Sequence, residues 1–483
     1  MCSVIGVFSK SGKDVSGEAY ELLCALRRRG PEAFGVRGLR SEKKAAMPQG
    51  LMPLPQSPVC LAHCLLSTTG HGVQPFTEGN VSIAHNGQIY NYLEMNSKLP
   101  GKKNRAQVPM SSDSEVIARF FANALGGKKK KDFAAAAKKF VRSARGEYAI
   151  GALYRGELYA LRDFTGQKPL WFGENSEMLA FASEPGALRK LGIEFPASLE
   201  PGHLLRAGKK GFVTSTIFDF ANFKKTVPRK HSIASLKSEF DSAIEMQTRG
   251  LKKAAVLFSG GVDSSLIAKA VSQKVAQTKL FVAGLEGSHD VIAAQKAAKE
   301  LGLELETILL REEDVQRLCL KAMGIMGFFD EMQVGIAVPE LACAEAICAR
   351  GFKVVFSGQG SDEIFCGYSS YVRALESGGY KEVEKELWSG LARMWSRNFY
   401  RDDIILATEA LELRLPFMHE NFLRQAMAIP AREKILSVKD GLRKHPVREI
   451  ARLCGVPDSI CQQPKKAMQY GSGAQKIVSK MMK

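Results

Sequence analysis

Short apolar or alternating runs, separated by turn residues, dominate the first half of the chain. The stretch EYAIGALYRGELYALRDF (147–164) predicts two strands joined by an Arg-Gly turn, and VSIAHNGQIYNYL carries Asn86-Gly87, a pair suited to tight turns. Helical patterns are fewer and include SGEAYELLCALRRRG and SDSEVIARFFANAL, the latter behind a Ser/Asp cap. This half therefore predicts an α+β fold of stacked antiparallel sheets with outer helices.

Strand and helix alternate in the second half of the chain. The runs KAAVLFSGG, TKLFVAGL, ELETILL and KVVFSGQG are typical of buried strands, with helical patterns between them. Such alternation predicts an α/β domain whose parallel sheet is covered on both faces and whose functional turns follow the strand ends. The polar, proline-interrupted stretch between the halves predicts a first domain at 1–217, a linker at 218–236 and a second domain at 237–483.

Composition fits a cytoplasmic, soluble protein. The 483 residues are 45% hydrophobic and 24% charged, and no run approaches eighteen consecutive apolar residues, so no transmembrane helix is expected. No secretory signal opens the chain, and the ten scattered cysteines are typical of reduced thiols. We interpret the net charge of +18 mainly as solvated helix faces and loops, so neither a membrane nor a nucleic acid is an expected partner.

The strongest chemical signal is SGGVDSS (259–265), between an apolar strand and a helix. Two glycines let the backbone approach a phosphate, and the helix start offers unpaired N–H groups and the positive end of its dipole. The lysine of the Walker sequence is missing. Asp263 is a poor direct partner for a phosphate but a good ligand for a Mg²⁺ ion that bridges phosphates. A second glycine turn, SGQGSDEIFCGY (357–368), supplies another acid, Asp362, for the same metal.

Cys2 is a candidate nucleophile at the start of the chain. Removal of Met1 would leave a free amine beside the thiol, and an amine with a pKa near 8 can take and return the thiol proton. Asn86-Gly87 could donate to an oxyanion, Ser112-Asp113 could bind an α-amino group, and the loop at Arg29 could pack near the chain start.

Several motifs carry a family resemblance that covers nearly the whole chain. MCSVIGVF, RRRGPEAFGV, LAHCLLS, HNGQIYNYLE, SSDSEV and LRDFTGQKPL resemble the class II, N-terminal-nucleophile glutamine amidotransferases. SGGVDSS and SGQGSDE resemble the loops of PP-loop ATP pyrophosphatases. With LATEALELRLPFMHENFL and PKKAMQYGSG behind them, the order of motifs resembles the glutamine-hydrolysing asparagine synthetases.

The resemblance implies that glutamine-derived ammonia passes through an internal channel and attacks β-aspartyl-AMP, giving asparagine, AMP and pyrophosphate. It implies ATP and Mg²⁺ as cofactors, glutamine or ammonia and aspartate as substrates, and leaves a homodimer open. The implied catalytic residues are Cys2, Asn86, Gly87 and Lys465; the substrate-binding residues are Ser112, Asp113 and Arg29; the ATP-binding residues are Leu257, Ser259, Gly260, Gly261, Asp263, Ser264, Ser357 and Gly358; the metal ligands are Asp263 and Asp362.

The chain departs from the family pattern at three positions. Leu65 stands where the family has an arginine for the glutamine carboxylate, and leucine makes no pair with a carboxylate. Gln88 and Gln359 each replace a glutamate, and the glutamate lost at 359 is a proposed base. Glu363 and Glu331 are the remaining candidates for that base.

Three alternatives to the asparagine synthetase hypothesis follow. The ligase could use ammonia or another acid; a PP-loop enzyme could modify tRNA; or the chain could be an inactive binding protein. The synthetase motifs argue against the second alternative, and intact Cys2, SGGVDSS and Asp362 argue against the third.

Overall fold

The computed structural model describes residues 1–68, 70, 72–99, 112–126, 132–327, 330–464 and 471–481. The chain divides into two compact units, Met1–Lys224 and Lys225–Lys483. The division falls inside the segment predicted as a linker, but that segment also contains the helix Phe220–Lys224 and the start of the helix Ile233–Thr248. Both helices bury apolar side chains, Phe223 in one and Leu236 in the other, which explains why a polar stretch still takes regular structure.

The described part of the first unit contains thirteen strands in two antiparallel sheets. In chain order they are β1 (Ser3–Ser9), β2 (Ala33–Arg37), β3 (Glu42–Ala45), β4 (Val59–Leu65), β5 (Phe76–Glu78), β6 (Val81–Ile89), β7 (Gly146–Tyr154), β8 (Glu157–Arg162), β9 (Trp171–Glu174), β10 (Met178–Ala182), β11 (Ala197–Ser198), β12 (His203–Gly208) and β13 (Gly211–Thr216). One sheet has the order β11-β9-β10-β1-β4-β2-β3, and the other has the order β13-β12-β8-β7-β6-β5.

Helices flank these sheets, as the hydrophobic pattern predicts. They are α1 (Ser16–Leu26), α2 (Tyr92–Lys98), α3 (Asp113–Leu125), α4 (Phe133–Ser143), α5 (Pro185–Lys190) and α6 (Phe220–Lys224). Apolar side chains of α1 pack on β1 and β4 in one core, and those of α3 and α4 pack on β6 and β7 in another. A third core, with Val4, Leu61, Ala84 and Ala149, joins side chains from both sheets, so the predicted α+β class of stacked antiparallel sheets is confirmed.

The Arg-Gly turn is present, whereas the Asn86-Gly87 turn is not. Arg155 and Gly156 have φ of 53° and 77° between β7 and β8, as a tight hairpin turn requires. Asn86 and Gly87 lie within β6, whose ladder with β7 continues from Val81 to Ile89. Gly87 has φ of 141°, and a Cβ there would come within 2.0 Å of the Glu147 carbonyl oxygen, so the glycine serves a close strand approach.

The second unit is an α/β domain around a five-stranded parallel sheet, as predicted. Its strands are β14 (Lys253–Leu257), β15 (Gln277–Leu285), β16 (Leu305–Leu310), β17 (Val354–Phe356) and β18 (Glu412–Arg414), in the order β16-β15-β14-β17-β18. Its described helices are α7 (Ile233–Thr248), α8 (Val262–Ser272), α9 (His289–Leu301), α10 (Glu312–Met326), α11 (Glu331–Ala349), α12 (Ser361–Ile364), α13 (Ser369–Met394), α14 (Tyr400–Ala407), α15 (Glu420–Ala428), α16 (Ala431–Lys434), α17 (His445–Leu453), α18 (Asp458–Cys461) and α19 (Ala474–Met481).

The sheet order brings the two predicted glycine turns to one edge. β14 and β17 are parallel neighbours, so the loops that follow them, at 258–261 and 357–360, leave the same end of the sheet. Gly260 has φ of 73°, and a Cβ on it would meet the Ala293 backbone at 2.5 Å. The turn between β14 and α8 therefore requires glycine at this position.

One helix in the described ranges, Glu331–Ala349, is long and apolar enough to span a membrane by length and composition. Of its apolar window, 67% is buried inside the protein, as is common for a core helix of a soluble domain.

Candidate active sites

Cys2 lies directly before β1 and contacts the end of β4. Its Sγ accepts from the Leu66 backbone N–H at 3.4 Å, and Sγ is 3.6 Å from the Leu66 carbonyl oxygen. The antiparallel pairing of Ser3 with Cys64 sets this position, since β4 continues past the start of β1. The thiol is half-buried, which leaves part of it accessible.

Arg29 organises the chain start. Its Nε donates to the Cys2 carbonyl oxygen at 2.9 Å, and its Nη1 lies 3.1 Å from Glu184 Oε1. The backbone of the same residue accepts from the Met1 ammonium at 3.0 Å. Because the Arg29 side chain is fully buried, these contacts give its guanidinium a structural role, and its predicted contact with substrate stays a prediction. Leu65, at the end of β4, is half-buried.

Asn86 is buried in β6, and its Nδ2 has no hydrogen-bond partner among the residues that the structure describes. A buried amide without a partner costs free energy, so such a group is typical of a site that donates to a ligand. Gly87 follows it with the φ that only glycine readily adopts. The pair therefore has the donor chemistry that an oxyanion requires.

Ser112 and Asp113 stand at the start of α3. Asp113 accepts from the Ile89 N–H at 2.7 Å through Oδ2 and from the Ser114 N–H at 2.8 Å through Oδ1. Ser112 occupies the N-cap position, as predicted, but its side chain makes no capping hydrogen bond. Its buried Oγ has no hydrogen-bond partner in the described ranges.

A pair of buried histidines supports these strands. His63 Nε2 lies 3.0 Å from the His85 carbonyl oxygen, and His85 Nδ1 lies 3.0 Å from Ser114 Oγ. Since the carbonyl accepts, His63 carries its proton on Nε2. Burial lowers the pKa of His63 to about 4, so the ring is neutral at neutral pH.

The turn between β14 and α8 presents an anion-binding helix start. Gly261 is the N-cap, and no side chain caps α8, so its first N–H groups are available to a ligand. Ser264 Oγ donates to the Gly261 carbonyl at 3.2 Å and lies 3.4 Å from Ser259 Oγ. Leu257 ends β14 immediately before this loop.

The second turn is packed against the first. An added Cβ on Gly358 would lie 3.1 Å from the Asp263 Cβ, and Ser357 takes part in the same turn through its Oγ, which accepts from the Gln359 N–H at 3.3 Å. Ser361 Oγ donates to Asp263 Oδ1 at 2.7 Å, which ties α12 to α8. The structure thus brings the two predicted glycine turns together.

Glu363 is buried beside this turn. Its Oε1 accepts from Tyr368 Oη at 2.9 Å and from Asn398 Nδ2 at 2.5 Å, while its buried Oε2 has no hydrogen-bond partner in the described part of the chain. Burial is the main cause that raises the pKa of Glu363 to about 7, and the negative charge of Asp362 is the second.

Lys444 connects the two predicted metal ligands, and sequence reasoning missed it. Its Nζ is 2.6 Å from Asp263 Oδ2 and 2.6 Å from Asp362 Oδ1. Two carboxylates that converge on one cation supply the hard oxygen donors that Mg²⁺ prefers, so the donor set fits this metal. The one sequence signal near Lys444 is Pro446, a residue favoured in the first turn of a helix, which marks the start of α17.

Lys465, the predicted catalytic lysine, lies outside the described residues. Within the described ranges no group of three or more His, Cys, Asp or Glu side chains could hold a metal ion. Any metal at Asp263 and Asp362 would therefore take its other ligands from substrate or water.

Comparison with known proteins agrees with this two-part arrangement. The asparagine synthase family matches residues 235–379 and 373–483, and a glutamine amidotransferase domain matches residues 62–190. A putative glutamine-hydrolysing asparagine synthetase of Methanocaldococcus jannaschii is 29% identical, with 100% of this chain and 96% of that protein covered. Asparagine synthetase B of Escherichia coli is 26% identical, with 98% and 83% covered.

A solved glutamine phosphoribosylpyrophosphate amidotransferase from B. subtilis is 16% identical, covers 80% of this chain and 79% of its own, and has a TM-score of 0.40. The family match covers more than half of the chain, including both glycine turns and Lys444, and on it the chain belongs to the asparagine synthase family.

Proposed function

We propose that the protein is an ATP-dependent amide ligase that converts aspartate to asparagine with ammonia released from glutamine. The observation that carries the proposal is the convergence of Asp263 and Asp362 on one cation, beside the uncapped start of α8. A carboxylate pair next to a helix N-terminus suits a metal-bound pyrophosphate. The proposal also places the enzyme in the cytoplasm, as its composition indicates, and leaves a homodimer open.

The N-terminal unit supplies the ammonia. After removal of Met1, the Cys2 thiolate attacks the amide carbon of glutamine, and the Cys2 amine carries the proton to the departing ammonia. Asn86 Nδ2 and the Gly87 N–H stabilise the oxyanion, and Ser112 and Asp113 bind the α-amino group. Water then hydrolyses the thioester and releases glutamate. The unpartnered Asn86 Nδ2 supports this assignment.

The C-terminal unit consumes the ammonia. A side-chain carboxylate oxygen of aspartate attacks the α-phosphorus of ATP, pyrophosphate leaves, and ammonia then displaces AMP from the acyl carbon. ATP lies along the two glycine turns, with contacts from Leu257, Ser259, Gly260, Gly261, Asp263, Ser264, Ser357 and Gly358. Asp263 and Asp362 would hold Mg²⁺, which offsets negative charge on pyrophosphate. Lys465 stabilises charge at the reacting phosphate, and Glu363 takes the proton of the attacking amine in place of Gln359.

A second candidate uses ammonia without glutamine. Leu65 offers no charge to the glutamine carboxylate, and the Arg29 guanidinium is buried against Glu184 and the Cys2 carbonyl. Weak glutamine binding would follow from these contacts, while the synthetase reaction would be unaffected.

The test is a paired assay of the full chain with ATP, Mg²⁺ and aspartate, with either glutamine or ammonium chloride, in which pyrophosphate and asparagine are measured. We expect asparagine and pyrophosphate in equal amounts with both nitrogen sources. Turnover with ammonium alone would favour the second candidate. Absence of aspartate-dependent pyrophosphate under both conditions would overturn the assignment of asparagine as product.

A further inference from the structure

Lys444 occupies the place between the two carboxylates where the proposed metal belongs. Its Nζ contacts Asp263 Oδ2 and Asp362 Oδ1, both at 2.6 Å, and lies 3.4 Å from Ser361 Oγ. The Lys444 side chain has no solvent exposure, so its ammonium is enclosed with the two carboxylates. A cation buried in this way compensates charge that would otherwise repel across the site.

The backbone beneath Lys444 is fixed. Lys444 has φ of 55°, a left-handed conformation that a residue with a side chain adopts at a cost of order 1 kcal/mol. Asp440 Oδ1 accepts from the N–H groups of Leu442 and Arg443 at 3.1 and 3.0 Å, and Arg448 Nε donates to the Arg443 carbonyl at 2.7 Å. Only the side chain of Lys444 can therefore move without breaking this turn.

The ammonium and a divalent cation compete for these carboxylates. Asp263 Oδ2 and Asp362 Oδ1 already contact the ammonium, and a divalent cation held by the same two carboxylates would lie within a few ångströms of it, where two cations repel strongly in a buried site. The Gly367 backbone packs closely against both Lys444 and Asp362, since an added Cβ at this glycine would lie 2.4 Å from Lys444 Cε and 1.7 Å from Asp362 Oδ1. Metal entry therefore requires the ammonium to leave, and a leaving ammonium needs a new anionic partner.

We propose that Lys444 is a tethered counterion that keeps divalent metal out of the nucleotide-free site and yields its place when nucleotide phosphates arrive. Phosphate oxygens at the start of α8 are the anionic partner, and lysine binds phosphate as a point charge. Metal and nucleotide then bind with positive coupling, because the nucleotide phosphates draw the Lys444 ammonium away from the carboxylates that hold the metal, and the metal keeps that ammonium free to contact the phosphates. This counterion role of Lys444 rests on the proposed function of the two glycine turns.

The test measures binding of Mn²⁺ alone, without nucleotide, by the electron paramagnetic resonance signal of the unbound ion. We expect Lys444→Met to bind Mn²⁺ roughly tenfold or more tightly than the unaltered protein. Lys444→Arg keeps the charge and should stay weak. Lys439→Met removes one positive charge from an exposed position of the same loop and should leave the affinity unchanged.

Two further measurements locate the Mn²⁺ site and keep the proposal testable if the Lys444→Met variant does not fold. Adding Asp362→Asn to Lys444→Met should abolish the gained Mn²⁺ affinity; a gain that persists would place the metal elsewhere and overturn the proposal. In the unaltered protein, α,β-methylene-ATP should raise Mn²⁺ uptake beyond what the nucleotide binds by itself, and uptake that is merely additive would contradict the coupling.

Because asparagine formation is not a readout here, failure of the proposed function leaves the binding result interpretable. Conversely, an active asparagine synthetase whose Lys444→Met variant binds Mn²⁺ no more tightly than the unaltered protein would overturn only the counterion role.

Discussion

The two candidate sites satisfy their polar groups in opposite ways. In the N-terminal unit, Asn86 Nδ2 and Ser112 Oγ are buried with no hydrogen-bond partner among the described residues. In the C-terminal unit, the Lys444 ammonium bridges the carboxylates of Asp263 and Asp362. The first site presents neutral donors that gain a partner when a ligand binds, whereas the second has its charges already compensated.

This difference has an energetic consequence. At the first site no described side chain occupies the donors, so they are available to a developing oxyanion. A metal–nucleotide complex at the second site has to exchange one cation for another, so binding there is a competition. The four predictions below perturb the N-terminal unit, and two of them ask whether the ammonium-dependent reaction of the C-terminal unit stays unaffected.

The largest effect is expected for Cys2→Ala. Glutamine-dependent asparagine formation should fall below detection, because no other group contacts the amide carbon as a nucleophile in the proposed mechanism. Ammonium-dependent formation should stay within about twofold, measured as pyrophosphate and asparagine release. Cys24→Ala, at another half-buried thiol of the same unit, is the matched control and should leave both reactions unchanged. Equal loss with both nitrogen sources would contradict the separate roles of the two sites.

Asn86→Ala should have the next largest effect. Removing one oxyanion donor lowers kcat by roughly 10²–10³-fold in related acyl-transfer sites, and we expect that loss in glutamate release from glutamine. KM for glutamine should change little, because the donor acts on charge that develops after binding. A rise in KM with kcat preserved would show that Asn86 binds the ground state instead.

The fold could be predicted largely from sequence because hydrophobic period and turn residues act locally. Alternating and apolar runs marked β6–β8 and β14–β17, and Arg155-Gly156 marked a hairpin. Asn86-Gly87 misled because its turn preference is weaker than the nine-residue ladder between β6 and β7, which continues through it. Pairing with a strand some sixty residues away is not visible in a dipeptide.

The candidate sites could be predicted only in part. Short motifs identified the acids and glycines of both turns, because the backbone conformation of each turn depends on residues that are adjacent in the sequence. Lys444 was missed because its position depends on tertiary packing: a turn held by Asp440 and Arg448 brings it to carboxylates 181 and 82 residues earlier in the chain. The role of Arg29 was similarly hidden, because its partner Glu184 lies 155 residues away.

Leu65→Arg tests whether the first site lacks only a cation for glutamine. A charge-assisted pair with the glutamine carboxylate is worth about 1.5–3 kcal/mol, so KM for glutamine should fall by roughly 10- to 100-fold. Leu65→Met, of similar length without charge, should leave KM for glutamine unchanged. Neither variant should change asparagine formation with ammonium as the nitrogen donor. An unchanged KM in Leu65→Arg would mean that another group already binds the carboxylate.

The smallest effect concerns pH and separates the neutral site from the charged one. Burial lowers the pKa of His63 from 6.5 to about 4, and its buried Nδ1 has no hydrogen-bond partner among the described residues. Between these two values the unfolded chain binds a proton that the folded unit does not, so the free energy of unfolding falls as pH falls. From pH 7 to pH 5 this one group should cost about 2 kcal/mol.

The measurement is urea unfolding of the N-terminal unit, followed by Trp171 fluorescence after Trp388 and Trp395 are replaced by Phe. His63→Gln should flatten the loss between pH 7 and pH 5 by about 2 kcal/mol, whatever its effect on absolute stability, because the difference across pH isolates the titrating group. His203→Gln, at a half-buried ring of the same unit, should retain the full loss. If both variants keep the same pH dependence, the acid sensitivity of this unit arises from carboxylates, and the neutral His63 ring is not what distinguishes it from the charge-compensated site around Lys444.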